Sequence, residues 1–123
     1  MIYLDTNVVV RMFTSAHMVS PRARRLINRE SLFISPMVEF ELQFLYEIGR
    51  IKYPPHQILE HLAEKSGLLV CDKPFLAVIQ LAMQIKWTRD PFDRIIVAQA
   101  GLGKNRLVTS DETILKRYPH SCW

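Results

Sequence analysis

The sequence predicts a single α/β domain, residues 1–123, built as a three-layer α/β/α sandwich around a parallel, Rossmann-like sheet. Its 123 residues, 49% hydrophobic and 23% charged, have the size and balance of one globular domain. Short and continuously apolar runs alternate with segments of helical periodicity. That alternation is typical of parallel strands covered by helices on both faces.

Each element has its own local signal. Apolar runs with no polar interruption predict buried strands, and a Ser followed by Pro predicts a helix start at Ser20-Pro21 and at Ser35-Pro36. The predicted strands are Ile2–Leu4, Leu32–Ile34, 68–70 and Arg106–Val108, with a small edge strand within 120–123. The predicted helices are 8–13, Pro21–Arg29, 36–48, 55–65, 75–85, 92–100 and Glu112–Arg117.

The cysteines and the apolar segments argue against a disulfide-stabilised domain, a cysteine-ligated metal site and a membrane protein. The net charge of +4 and the pI of about 9.3 are compatible with a polyanionic partner. Cys71 and Cys122 provide no disulfide framework and no metal-ligand spacing, and Cys71 is predicted to be a buried thiol. We find no signal peptide and no apolar stretch long enough to span a bilayer, so we expect a cytoplasmic protein with no membrane association.

Four acidic residues occupy positions where a carboxylate is costly. Each lies at the end of an apolar strand-like run or within an apolar helical stripe: Asp5, Glu41, Asp93 and Asp111. An ionised carboxylate removed from water needs a compensating positive charge. Four of them in one small domain suggest a shared cation, and a hard divalent metal with oxygen ligands is the simplest candidate.

Polar residues that follow the predicted strands indicate where this site lies. Asp5 follows the first strand, Ser35 the second, and Thr109 to Asp111 the fourth. In parallel α/β folds, sites form beyond the carboxyl ends of the strands, at the switch point of the sheet. All of these residues are therefore expected at one edge.

Each acid also has a purely structural alternative. Asp5 is equally well placed to cap the next helix, and Asp111 to stabilise the first turn of the last one. Glu41 shares a helical face with apolar residues while Glu39 falls on the polar face, so Glu41 should point inward and Glu39 into solvent. The alternative for Glu41 is a salt bridge to an arginine.

Two acids compete at the start of the helix 92–100. Asp90 has the N-cap position, with Pro91 at the first helical position and Asp93 at the third. Asp93 also lines up with Ile96, which belongs to the core stripe, so Asp93 is assigned to the site. Asp90 is interpreted as a cap that can also touch the site.

The order of these motifs resembles the PIN-domain family across essentially the whole chain. Asp5-Thr6-Asn7 is similar to the opening motif of the family, and Ser35 to Leu42, which includes Glu41, is similar to the second. The run from Asp90 to Ala100 closely resembles the third motif, and Leu107 to Asp111 the fourth. In size and spacing the chain looks like the VapC-type toxins of bacterial and archaeal toxin–antitoxin pairs.

The resemblance implies a fold, an activity and partners. It implies a PIN-like sandwich, a Mg²⁺ or Mn²⁺ site, endoribonuclease activity on single-stranded or structured RNA, a homodimer and inhibition by an antitoxin protein. On this interpretation Asp5 and Asp93 hold the metal, while Glu41 and Asp111 complete the catalytic set. The residues expected to support that set are Thr6, Asn7, Asp90, Thr109 and Ser110. Arg11 and Arg94 are expected to bind the substrate phosphate, with balancing the charge of the carboxylates as the alternative.

Two other functions remain open at this stage. One is a PIN-like module that binds RNA or a protein without cutting it, and the other is a housekeeping RNA-processing nuclease. A dinucleotide-binding fold is disfavoured, since no Gly-rich turn follows Leu4. A phosphoacceptor receiver domain is disfavoured by the lack of paired acids after the first strand.

Overall fold

A computed structural model describes all residues, 1–123, and shows one sheet of five parallel strands. The strands are β1 (Ile2–Leu4), β2 (Leu32–Ile34), β3 (Leu69–Val70), β4 (Arg106–Val108) and β5 (Ser121–Cys122). Three strands match the predicted bounds, β3 is one residue shorter, and the predicted edge strand is confirmed as β5. The continuous apolar runs are explained by burial, because β1 is covered on both faces.

Seven α-helices connect and cover the strands. They are α1 (Thr6–Thr14), α2 (Pro21–Arg29), α3 (Pro36–Glu47), α4 (Pro55–Ser66), α5 (Phe75–Ala82), α6 (Pro91–Gly101) and α7 (Glu112–Arg117). The two serine caps are confirmed, since Ser20 accepts a hydrogen bond from Ala23 N and Ser35 from Met37 N. The prediction missed a 3-10 helix at Ala16–Met18 and placed the end of α5 three residues too late. None of the helices combines the length and apolarity that crossing a membrane requires.

The strand order, β3-β2-β1-β4-β5, positions the functional edge. The chain builds outward from β1 through β2 to β3, then returns to place β4 on the other side of β1. The helices that connect successive strands cover this sheet, which gives the predicted α/β/α sandwich. The order reverses between β1 and β4, so the switch point, where ligands bind in such sheets, lies between the carboxyl ends of these two strands.

Candidate active site

Asp5 lies at the switch point and is almost completely buried, with 3% of its surface exposed. Three groups donate hydrogen bonds to its carboxylate: Thr6 N at 2.8 Å, the Asn7 amide Nδ2 at 3.2 Å and the Thr109 hydroxyl at 2.6 Å. Asp5 is also the N-cap of α1. The capping role predicted for Asp5 is therefore confirmed. It is compatible with the role assigned in the site, because the cap fixes the direction in which the carboxylate points.

The residues after β4 face Asp5 across the switch point. The Thr109 hydroxyl donates to Asp5 Oδ2 and accepts from the backbone N–H of Asp111 at 3.0 Å, so one side chain links the two acids. Asp111 caps α7 through Oδ1, which accepts from two backbone amides of the first turn. Its other carboxylate oxygen is not used by this cap. Ser110 N approaches Asn7 Oδ1 at 3.4 Å, a long contact that ties the two loops together.

Glu41 reaches the same region from α3. It is partly buried, and the Thr6 hydroxyl donates a short hydrogen bond to its Oε1. Glu39, two residues earlier, is exposed, so the predicted helical phase is confirmed. The arginine alternative for Glu41 is wrong, because the only ion pair in the protein joins the Met1 amino group to Glu30.

The start of α6 supplies two more acids. Asp90 Oδ1 accepts from Phe92 N at 2.9 Å and from Asp93 N at 3.2 Å, which confirms Asp90 as the N-cap. Asp93 is partly buried, and no hydrogen bond offsets the cost of burying its charge. Asp93 is therefore the least compensated carboxylate of the site.

The carboxylates are close enough to repel one another. Burial raises the pKa of Asp93 to about 7, with further contributions from the negative charges of Asp90, Asp5, Asp111 and Glu41. Burial also raises the pKa of Asp5 and of Glu41, although hydrogen bonds from Thr109 and Thr6 act in the opposite direction. We call these five residues, Asp5, Glu41, Asp90, Asp93 and Asp111, the acidic cluster. Because no arginine or lysine forms an ion pair with any of them, the cluster has an unbalanced negative charge.

The acidic cluster fits a hard divalent cation by the chemistry of its donors. Its ligand atoms are carboxylate oxygens, which Mg²⁺ and Mn²⁺ prefer. No group of three or more His, Cys, Asp or Glu side chains is arranged to hold a metal ion by itself. This geometry excludes a closed protein cage but not magnesium, which usually keeps several water ligands and binds through one or two carboxylates.

The two arginines predicted to bind substrate are engaged within the protein. Arg94 donates from Nε and Nη2 to the carbonyl of Ala82 at 3.2 and 3.1 Å, at the end of α5. It lines a cavity of about 260 Å³ that none of the acidic cluster enters. The Arg11 guanidinium lies 5.2 Å from the ring centre of Trp123. Neither arginine forms an ion pair with an acid.

Sequence reasoning missed a buried polar contact between the two helices that carry Glu41 and Asp93. The Ser35 hydroxyl, at the start of α3, donates to Gln99 Oε1 of α6 at 3.0 Å. Gln99 is 1% exposed, and its Nε2 has no hydrogen-bond partner. The available signal was a glutamine within the apolar stretch of α6, where an unpaired amide is costly.

The fold and the sequence agree on a family. A family model of the PIN domain matches residues 2–120. No curated protein matches the chain by sequence.

Similar solved structures include a toxin–antitoxin complex from Klebsiella pneumoniae (16% identity, TM-score 0.70, covering 100% of this chain and 97% of that one). A second is VapBC2 from Rickettsia felis bound to a DNA fragment from its promoter (24% identity, TM-score 0.67, 98% and 96% coverage). A third is DNA-bound VapBC from Salmonella typhimurium (20% identity, TM-score 0.63, 98% and 96% coverage). At these identities the likeness shows a shared fold. The match over residues 2–120 shows more: the chain belongs to the PIN-domain family.

Proposed function

We propose that this protein is a metal-dependent endoribonuclease that cleaves single-stranded or structured RNA, and that it is the toxin of a VapBC-type pair. The observation that carries the proposal is the acidic cluster: its carboxylates, all but Asp90 partly or fully buried, repel one another, and none of them forms an ion pair. An arrangement that raises the pKa of several acids at a switch point is typical of a functional site. Membership of the PIN-domain family supports the nuclease assignment.

Within this proposal the acids have different roles. Asp5 and Asp93 are the carboxylates that hold Mg²⁺ or Mn²⁺, and Asp111 completes the site directly or through water. When bound, the ion lowers the pKa of a water molecule and stabilises the negative charge that develops on the phosphate. Glu41 accepts the Thr6 hydroxyl on Oε1, which leaves Oε2 to orient the attacking water or to assist a second ion.

The supporting residues hold this arrangement in place. Thr6, Asn7 and Thr109 orient the buried carboxylate of Asp5 through their hydrogen bonds. Asp90 caps the start of α6, which carries Asp93, and Ser110 N contacts Asn7 Oδ1 next to Asp111. Such contacts matter because a ligand oxygen held in one orientation pays less ordering entropy when it binds.

RNA binding requires positive charge beside this negative cluster. Arg11 and Arg94 are the proposed phosphate-binding residues, and the net charge of +4 favours association with a polyanion. For Arg94 this role requires part of the guanidinium to turn from the Ala82 carbonyl. We expect the protein to act in the cytoplasm, where its RNA substrate is found.

Partner binding is proposed on one surface of α3. Phe40, Phe44 and Ile48 are 63%, 45% and 51% exposed, which is unusual for side chains of their size. We propose that this face binds an antitoxin helix or a second copy of the chain as a homodimer. An antitoxin arginine inserted near the acidic cluster would form charge-assisted hydrogen bonds there and block the metal. One of the similar structures is a toxin–antitoxin complex and the other two are VapBC complexes bound to DNA, which supports this proposal.

The proposal is tested by cleavage of a labelled single-stranded RNA with Mg²⁺ and with chelator. Wild type should cleave only with metal, and Asp5→Asn and Asp93→Asn should lose activity by a factor on the order of 100 or more. Glu60→Gln removes an exposed acid on α4 and should change nothing. Cleavage that persists in chelator, or in either site variant, would contradict the assignment.

A second candidate is favoured by one observation. The acidic residues do not form a three-ligand metal group, as expected of a PIN-like module that binds RNA or protein without cutting it. The same assay distinguishes the two, because such a module would bind the labelled RNA and leave it intact at every metal concentration.

A further inference from the structure

Arg11, a proposed phosphate-binding residue, forms a stacked pair with Trp123, to which the catalytic proposal gives no role. The Arg11 guanidinium lies over the indole ring, 5.2 Å from its centre, within the range of a cation–π interaction. Both side chains are only partly buried. Trp123 packs one part of its surface against the core, so the pair is held in place and still accessible.

This pair borders the acidic cluster through a short series of contacts. The residue before Trp123 is Cys122, whose carbonyl accepts from Thr109 N at 3.0 Å. The Thr109 side chain in turn donates to Asp5 at 2.6 Å. Since the parallel strands end at one edge, the end of β5 is beside the end of β4. The stacked pair therefore lies on the β5 side of the proposed catalytic site.

Positive charge continues outward from this pair. Arg22, in the first turn of α2, and Arg106, at the start of β4, are both exposed. Glu30, the residue after α2, binds the Met1 amino group ahead of β1 at 3.1 Å, so α2 ends near the amino ends of the strands and begins, with Arg22, toward their carboxyl ends. The charges of Arg22 and Arg106 also act to lower the pKa of the Cys122 thiol in β5, against the larger effect of burial. Neither Arg11 nor Arg22 forms an ion pair, so the positive charge on this side of the acidic cluster has no acidic partner within the protein.

We propose that Arg11, Trp123 and Arg22 form a binding subsite for single-stranded RNA that leads the strand to the acidic cluster. A base stacks against the Arg11–Trp123 pair, because bases stack well on guanidinium planes and aromatic rings. Arg22 binds a backbone phosphate through its forked donors. The subsite rests on the proposed function in one respect, since it takes RNA to be the substrate.

Two arginines of α2 provide a matched pair of variants. Arg22 and Arg29 are seven residues apart, which is close to two full turns, so they lie on nearly the same face of one helix. They lie toward opposite ends of the strands: α2 begins with Arg22 on the carboxyl side, whereas Glu30, beside Arg29, binds the amino group of Met1 ahead of β1 at 3.1 Å. Replacing either with Gln removes the same charge from an exposed position.

The first test measures binding of a labelled single-stranded RNA by fluorescence anisotropy, in an Asp5→Asn protein that does not cut it. Arg22→Gln and Arg11→Gln should each raise Kd about fivefold or more and lower the salt dependence of binding by about one counterion. Arg29→Gln should change Kd by less than about twofold. Equal effects of Arg22→Gln and Arg29→Gln would overturn the subsite.

The second test observes Trp123 directly, since the chain has two tryptophans, Trp87 and Trp123. In a Trp87→Phe protein the RNA should quench the remaining tryptophan emission, whereas in a Trp123→Phe protein it should not. RNA that binds without quenching Trp123 overturns the subsite alone. A parent protein that binds no RNA overturns the proposed function as well, and binding of an acidic peptide in its place would assign this surface to a protein partner.

Discussion

At the residue scale, the repulsion within the acidic cluster can be measured most directly at Asp93. This residue is partly buried and repelled by four other carboxylates, and no hydrogen bond offsets this. Its raised pKa means that the folded state binds its proton more tightly than the unfolded chain does. The resulting stabilisation is complete below the unfolded pKa of about 4 and is lost as the pH rises through about 7.

We therefore predict that the metal-free protein loses thermal stability between about pH 4 and about pH 7. Asp93→Asn removes the charge and should raise the metal-free Tm at the upper end of this range by about 2–5 °C. The loss of Tm with rising pH should be smaller in this variant, as it should be with saturating Mg²⁺. Melting curves followed by circular dichroism provide the measurement. A pH dependence identical to that of wild type would show that Asp93 is not strained by its neighbours.

At the scale of elements, α3 carries Glu39 and Glu41 on different faces, and only the inward-facing Glu41 is expected to contribute to catalysis. Glu41 and Glu39 belong to the same helix, but Glu41 is partly buried and bound by Thr6 while Glu39 is exposed. Glu41→Gln should lower the rate of RNA cleavage by a factor on the order of 100, and Glu39→Gln should leave it within about twofold. Both are compared at the same metal concentration. A larger loss of activity in Glu39→Gln than in Glu41→Gln would contradict the assignment of Glu41 to the catalytic site.

Most elements could be predicted from local signals because those signals act within one or two turns. The serine caps and prolines determine the starts of α2 and α3, and the apolar runs determine β1, β2 and β4 to the residue. The end of α5 could not be predicted, because the apolar pattern continues to Ile85 while the helix ends at Ala82. There the Arg94 side chain binds the last carbonyls, a contact between residues far apart in sequence.

At the scale of the whole molecule, the strand order could not be read from the sequence. The positions of Asp5 and Asp111 at strand ends were evident, but their proximity depends on β4 returning beside β1. Thr109, whose hydroxyl links the two acids, is 104 positions from Asp5 in the sequence. The Ser35–Gln99 contact was likewise unpredictable, since neither residue shows which helix its partner occupies.

The proposed biological role also belongs to the whole molecule. Expression of the wild-type protein should arrest bacterial growth, and co-expression of a cognate antitoxin should restore it. Asp5→Asn should be harmless even when expressed to the same level, because toxicity requires cleavage. Growth arrest by Asp5→Asn would show that toxicity does not depend on the acidic cluster. No growth arrest by wild type would contradict the toxin assignment but not the nuclease assignment.

The central claim is that the acidic cluster binds a divalent cation, and titration with Mn²⁺ followed by electron paramagnetic resonance tests it most directly. Wild type and the exposed-acid control Glu60→Gln should both bind Mn²⁺, and its saturation should raise their Tm, since a ligand that binds only the folded state stabilises it. Asp5→Asn and Asp93→Asn should bind at least about tenfold more weakly. Equal Mn²⁺ affinity in all four proteins, or no binding by wild type at millimolar metal, would contradict the account.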